Sequence, residues 1–277
     1  MVLEQIINTT WLQRRPLYAV GLGLVYTLIA SVTGYLFFRG QFSISLLFLI
    51  SLLLVPSLMN LLSLEEERER SEGLKRFFHN HKDVFEIYLF LSIGVFLGYM
   101  AMIWVLGSFG ADLSMTVGEQ LRVLGPDITV DTIKSFDEHS LLQALSLFSR
   151  NVGVAFIFFL LSFFYGAGAI FLMVWNASIF ATFVSVTISN ISKGVNHSLA
   201  LWGIFSLYIV PEIGGFLLAA IAGGVVSKAV LSEQFLSESF KNVLRDALVL
   251  LLCSLLLLLL AAVLEAFAGV NLIKGLV

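Results

Sequence analysis

A single glutamate set in a long apolar stretch is the residue best placed to do chemistry in this chain. Glu212 follows Pro211 within residues 201–226, where the other side chains are almost all apolar or small. Lipid cannot solvate a carboxylate, and a charged residue at the centre of a membrane helix costs about 2.5–3.5 kcal/mol on insertion scales. Such a group usually faces a bundle interior or a water-filled cavity and often marks function. The simpler alternative is a protonated glutamate that hydrogen-bonds a neighbouring helix.

Two helix interruptions are predicted in the apolar segments that carry polar residues. Pro211, which lacks a backbone N–H, and the pair Gly214-Gly215 would interrupt one segment; Gly166–Gly168 or Trp175-Asn176 would interrupt the other. Interrupted membrane helices free backbone polar groups, which only protein or a water cavity can satisfy, and in transporters they mark substrate or ion sites. We therefore expect Glu212 and Asn176 to form a polar centre for a substrate or ion.

The glycines of these segments have a second interpretation, which is compatible with the first. Small residues let membrane helices approach closely. The glycines concerned are Gly166, Gly168, Gly214, Gly215, Gly223 and Gly224. Three small residues, Gly215, Ala219 and Gly223, recur at four-residue spacing, so we expect this face to support a homo-oligomer, most simply a two-fold dimer.

Composition places the chain in the lipid bilayer. Of its 277 residues, 58% are hydrophobic and only 13% are charged, about half the charged fraction of a soluble domain. The net charge of −3 and the lack of a basic patch exclude nucleic acid as a partner. The single cysteine, Cys253, excludes intrachain disulfides. The sequence contains no phosphate-binding glycine loop, zinc signature or nucleophile elbow, so we expect no cofactor, no metal and no catalytic residue.

The predicted fold class is all-α, a polytopic transmembrane helix bundle with about five full spans and one broken or re-entrant helix pair. A span needs about 20 apolar residues. The full spans are residues 17–38, 42–62, 84–106, 199–226 and 247–267. Residues 151–188 are too long for one crossing and short for two, so we expect a helix, a break and a short second helix there.

Three regions follow from this division of the chain. Residues 1–109 form a three-helix membrane region with a charged cytoplasmic loop. Residues 110–150 form an extracytoplasmic loop, in which residues 141–148 are expected to be a helix lying on the membrane surface. Residues 151–277 form the second membrane region.

Positive charges predict the orientation. Arg14 and Arg15 precede the first span, and five bases occur in residues 65–83, two crossings later. Basic residues favour the cytoplasmic side, so we expect a cytoplasmic N-terminus. A pair in residues 151–188 that returns to its starting side also places the bases of residues 227–245 inside. Glu265, near the outer end of the last span, is expected to reach the lipid headgroups, and Arg150 is an exception to the charge rule.

Residues 150–228 resemble the SpoIIM family, integral membrane proteins similar to stage II sporulation protein M. The resemblance is carried by Arg150-Asn151, Tyr165-Gly166-Ala167-Gly168, Trp175-Asn176-Ala177, Pro211-Glu212 and Ala222-Gly223-Gly224. It adds Asn151 and Tyr208 to the polar centre. Tyr208 stands where many members have histidine and Ala177 where they have glycine, so a His–Glu metal site inferred for the family would lack its histidine here.

The resemblance implies a prokaryotic cytoplasmic-membrane protein that crosses the bilayer several times. In endospore formers such proteins act with peptidoglycan-degrading and peptidoglycan-synthesising partners. We expect a non-enzymatic, permease-like or scaffold component of the cell envelope. The alternatives are a membrane subunit energised by a separate ATPase or an ion gradient, and an intramembrane enzyme. The expected partners are the lipid bilayer, a second copy of the chain, and an ATPase or envelope enzyme.

Overall fold

The computed structural model describes residues 15–72, 77–124, 141–232 and 237–276. Arg14 and residues 125–140, which make up much of the expected extracytoplasmic loop, lie outside the described residues. The described residues form helices joined by short turns and contain no strand. Seven helices are long and apolar enough to cross a membrane. A transmembrane helix bundle is therefore confirmed as the fold class.

The first three long helices are α1 (Tyr18–Phe37), α2 (Phe42–Glu72) and α3 (Phe77–Ser108). A 3₁₀ turn, Arg39–Gln41, joins α1 to α2. Pro56 lies inside α2, which continues as one helix past it. Helix α2 also continues through the first part of the charged segment to Glu72, as the i, i+4 charge pattern of residues 65–83 indicates. A short helix, α4 (Leu113–Leu124), follows α3.

The remaining helices form the second half of the bundle. They are α5 (Leu141–Phe164), α6 (Gly166–Ile191), α7 (Val195–Ser232) and α8 (Glu238–Val263). A π-helical turn, Leu264–Gly269, follows α8 and leads into α9 (Val270–Leu276).

The break in the long apolar segment lies at Tyr165, next to the expected Gly166–Gly168 position. Tyr165 has extended backbone angles (φ −141°, ψ 94°), whereas the helix continues through Trp175 and Asn176. Helices of 24 and 26 residues are about 36 and 39 Å long at 1.5 Å per residue, and the hydrocarbon core is about 30 Å thick. The second helix is therefore not short, and each of the two is long enough for a full crossing.

Residues 141–148 correct the expectation of a separate surface helix. They are the first two turns of α5, which begins at Leu141 and continues to Phe164. Helix α5 thus has ten residues before Asn151, from Leu141 to Arg150, and they supply the length that residues 151–188 lacked for two crossings. The proposed boundary at residue 150 therefore cuts through a helix.

Helix α7 also differs from expectation, because it is not interrupted at Pro211. The helix is continuous from Val195 to Ser232 with Pro211 inside it. A proline removes one backbone donor, and neighbouring helices can make this tolerable in a membrane, where an unwound segment would leave several groups unpaired. In an apolar 18-residue stretch of α7, 89% of the residues are buried, against 22% in that of α5, so α7 is the central helix of the bundle.

Candidate functional site

Glu212 lies on a buried face of α7, next to α5. Its side chain is 7% exposed, and Tyr208, one turn earlier on the same face, is 6% exposed. Asn151 on α5 is 2% exposed and close enough to Glu212 to act on it as a hydrogen-bond donor. The structure thus brings together three of the four residues expected at the polar centre.

Two further charged residues complete this site. Glu265 lies in the π-helical turn after α8, and its carboxylate acts electrostatically on both Glu212 and Tyr208. Arg150 on α5 acts electrostatically on both carboxylates. We call Arg150, Asn151, Tyr208, Glu212 and Glu265 the charged cluster. It draws on three elements: α5, α7 and the π-helical turn.

The π-helical turn positions Glu265. It packs on α5 and α7, and Gly269 at its end lies against the Tyr208 ring, where an added Cβ would be 3.2 Å from Cε1. A π turn is a rare local widening of a helix and is often found at functional sites. Here it brings a carboxylate of the last long helix to the face of α7 that carries Glu212.

The groups of the charged cluster are close but not bonded to one another. No ion pair of 4 Å or less joins Arg150 to either carboxylate, although all three residues are described. The Nδ2 atom of Asn151 is buried and forms no hydrogen bond, although Glu212 is near. Some donors and acceptors of the cluster therefore make no hydrogen bond or ion pair. In a structural salt bridge the corresponding groups are bonded to each other.

The cluster lies deep within the bundle. Arg150 is the tenth residue of α5, about 14 Å along the helix from its start, and Glu265 is about 17 Å from Leu276 at 1.5 Å per residue. Both residues are therefore more than two helical turns from these ends. Arg150 is exposed at the surface of the bundle and Glu265 is half-buried, whereas Glu212 and Asn151 are buried. The cluster thus extends from the core of the bundle to its side.

Asn176 is not part of the charged cluster. Its Nδ2 donates to the Leu172 carbonyl of its own helix at 2.9 Å. It lines a small cavity with Ser92, Phe158, Ile213 and others, on the α6 side of α7. Phe216, one turn after Glu212 on α7, also lines this cavity. No hydrogen bond joins Asn176 to Glu212, and their sharing of one polar centre stays a prediction.

The glycines act as close-packing positions within the chain. At Gly215 an added Cβ would lie 2.7 Å from the Leu258 side chain, and Ser254 donates to the Gly215 carbonyl at 2.7 Å. At Gly223 an added Cβ would overlap the backbone oxygen of Phe159 on α5. Gly214 faces side chains of α3 and α8, Gly168 faces Leu161, and Gly224 is buried in α7.

The small-residue face of α7 is therefore not free to bind a second copy of the chain. Gly215 packs on α8, Gly223 packs on α5, and Ala219 between them is fully buried. The packing interpretation of this face is supported, but the partner is the same chain. The argument for a dimer through this face fails.

A second buried polar group was missed by the sequence analysis. Gln120 on α4 is fully buried; its Oε1 accepts from Ser43 on α2 at 2.7 Å, and its Nε2 donates to Ser178 on α6 at 3.0 Å. The hydroxyl of Tyr99 on α3 is buried nearby, close to Ser178. Gln120 therefore joins the short helix α4 to two long helices. A glutamine in a polar loop gives no sequence signal of burial.

Arg150 and Glu265 did carry a signal. Arg150 was an exception to the charge rule at the outer edge of a span, and Glu265 was a carboxylate in an apolar span. Charged side chains within a membrane usually lie near a side chain of opposite charge. The proximity of Arg150 and Glu265 would therefore account for both unexpected positions. The expectation that Glu265 reaches the headgroups is replaced by its place in the charged cluster.

The cluster is chemically suited to holding a small ion. It has two carboxylates, a guanidinium, an amide and a phenol, which together can accept, donate and balance charge. Within the described residues, no group of three histidine, cysteine, aspartate or glutamate side chains could hold a metal. Tyr208 stands one turn before Glu212, so the position that would supply a family histidine carries a phenol instead.

The family model described as SpoIIM, stage II sporulation protein M, matches residues 46–269, which include every residue of the charged cluster. No curated protein and no solved structure matches the chain.

Proposed function

The chain belongs to the stage II sporulation protein M family, and we propose that it is a non-enzymatic, permease-like component of the cell membrane whose charged cluster binds and releases a small ion. The observation that carries this proposal is the presence of Arg150, Glu212 and Glu265 together deep within the bundle. Charged side chains at this depth are costly and typically mark ion pathways or proton relays.

The open geometry of the cluster supports ion handling over a purely structural role. A structural network gains its stability from closed hydrogen bonds, and a half-satisfied one is destabilising. In the charged cluster the Asn151 amide is unpartnered and Arg150 forms no direct ion pair. Arg150 is exposed at the side of the bundle, so the cluster is not sealed within the core. A centre of this kind favours an ion gradient as the energy source over a separate ATPase.

The test compares two substitutions of Glu212. Glu212→Gln keeps the size and hydrogen-bonding capacity but cannot carry a charge, whereas Glu212→Leu removes both. Ion handling predicts that Glu212→Gln unfolds at the wild-type temperature in nanodiscs yet fails to complement a strain that lacks the gene. Glu212→Leu should in addition be less stable than Glu212→Gln, because it places an apolar side chain beside the buried Nδ2 atom of Asn151.

Glu119→Gln is the matched control. Glu119 lies on α4 and pairs with Arg122 at 3.4 Å at an exposed site, so its substitution should change neither folding nor complementation. If Glu212→Gln complements fully, the cluster is structural and a scaffold role replaces the permease-like one. If Glu212→Leu matches the wild type in both assays, Glu212 has neither role.

A further inference from the structure

The charged cluster has an unequal number of acids and bases. Glu212 and Glu265 supply two carboxylates, while Arg150 supplies the one cation that acts on either of them among the described residues. With both carboxylates ionised the cluster would carry a net charge of −1. Removing an uncompensated charge from water costs several kcal/mol, so a neutral cluster is strongly favoured at this depth.

We propose that the charged cluster holds one exchangeable proton, shared between Glu212 and Glu265, with Arg150 as the fixed counter-charge. This inference rests on the proposed ion-binding function and names its ligand. One proton makes the cluster neutral without any other group. Asn151 is placed to stabilise the carboxylate that is ionised at a given moment, because its Nδ2 has no other partner.

The chemistry of the cluster favours a proton over a metal cation. Hard cations take six or more oxygen ligands, and the guanidinium of Arg150 repels a second positive charge beside the carboxylates. A proton needs only one carboxylate oxygen and leaves the other carboxylate to balance the charge of Arg150. The groups that face Glu212 are Arg150 and Asn151 from α5, Tyr208 from α7 and Glu265 from the π-helical turn.

Charge counting makes the inference testable, because each substitution changes the number of protons required for neutrality. The wild type requires one protonated carboxyl group. Glu212→Gln and Glu265→Gln each leave one carboxylate opposite Arg150 and require none. Arg150→Gln leaves two carboxylates without a cation and requires two.

The measurement is infrared spectroscopy of the full chain in nanodiscs. The C=O stretch of protonated carboxyl groups is recorded at neutral pH, and each variant spectrum is subtracted from the wild type. We expect the loss of one carboxyl band in Glu212→Gln and in Glu265→Gln, and the gain of one in Arg150→Gln. Glu119→Gln should leave the band unchanged, and thermal unfolding of every variant confirms that it is folded.

Three results would overturn the inference. The band could persist in both glutamine variants, it could fail to grow in Arg150→Gln, or it could vary with sodium concentration at constant pH, which would identify sodium as the ligand. Complementation separates this inference from the proposed function. Loss of growth with an unchanged band would reject the proton and keep ion handling, whereas loss of the band with normal growth would keep the proton and reject ion handling.

Discussion

Substitution of Gly223 by alanine tests the packing of the central helix most directly. An added Cβ would overlap the backbone oxygen of Phe159 and lie 3.0 and 3.1 Å from its carbonyl carbon and Cα. These are backbone atoms, so no side-chain rotation relieves the overlap and α5 must move away from α7. The neighbouring rings of Phe158 and Phe216, stacked at 5.4 Å, would separate with it.

The control is Gly203→Ala on the same helix. Nothing lies within 4 Å of a Cβ added at Gly203, and the residue is exposed. Both substitutions gain the same helix propensity, about 1 kcal/mol, so the difference between the variants isolates the clash. Overpacking of this kind costs about 1–3 kcal/mol. At roughly 2–4 °C per kcal/mol, Gly223→Ala should unfold about 2–12 °C below Gly203→Ala.

Thermal unfolding in nanodiscs measures the difference, and native mass measurement reports the oligomeric state. The intramolecular contact predicts lower stability for Gly223→Ala with no change in subunit number. The reasoning is refuted if Gly223→Ala unfolds at or above the temperature of Gly203→Ala. A change from dimer to monomer at unchanged stability would show that this face binds a second copy after all.

Three further outcomes follow from the structure. Tyr165 is 71% exposed at the turn between two full-length helices, so cysteine introduced there should react with a membrane-impermeant reagent from the cytoplasmic side; labelling from neither side would restore a re-entrant pair, and labelling from the outside would reverse the predicted orientation. Gln120→Leu leaves the Ser43 hydroxyl without its acceptor and removes the donor to Ser178, whose own hydroxyl still donates to Trp175, and should lower the stability by about 1–3 kcal/mol; a neutral effect in thermal unfolding would contradict the burial of this side chain. Ser254→Ala removes the bond to the Gly215 carbonyl and should cost about 0.6 kcal/mol and at most about 1.7, whereas Ser206→Ala, which loses only a bond within its own helix, should cost less; equal losses would argue against the interhelical bond.

Most of the long helices could be predicted from the sequence, because a membrane helix is recognised by a run of consecutive apolar residues. The prediction was wrong at the start of α5, where Leu141–Phe148 looked amphipathic and was assigned to the membrane surface. That single assignment removed eight residues from the helix and made two crossings look like one broken pair. The predicted orientation is unaffected, since a returning pair and two full crossings leave the chain on the same side.

The site was harder to predict because its residues are distant in sequence. Asn151, Tyr208 and Glu212 were grouped through a motif that lies within one part of the chain, and the structure places them near one another. Glu265 meets them only through the π-helical turn, a local change of helical pitch that no periodicity reveals. Asn176 was included for its residue type, and its amide donates to a carbonyl of its own helix, a contact that residue type alone does not predict.

The packing of α1 shows which contacts can form only late during synthesis. Gly23 approaches the backbone of α3, where an added Cβ would be 2.5 Å from the Leu91 oxygen, and Gly98 of α3 faces Thr27. Helix α1 contacts α3 more extensively than α2, although α2 is synthesised first. The close-packed seam of α1 therefore stays open to lipid until the third helix leaves the translocation machinery. The contacts of α1 are therefore complete only when α1, α2 and α3 are all in the membrane. In a nascent chain arrested after α2, the glycine face of α1 would be open to contact with helices of other proteins.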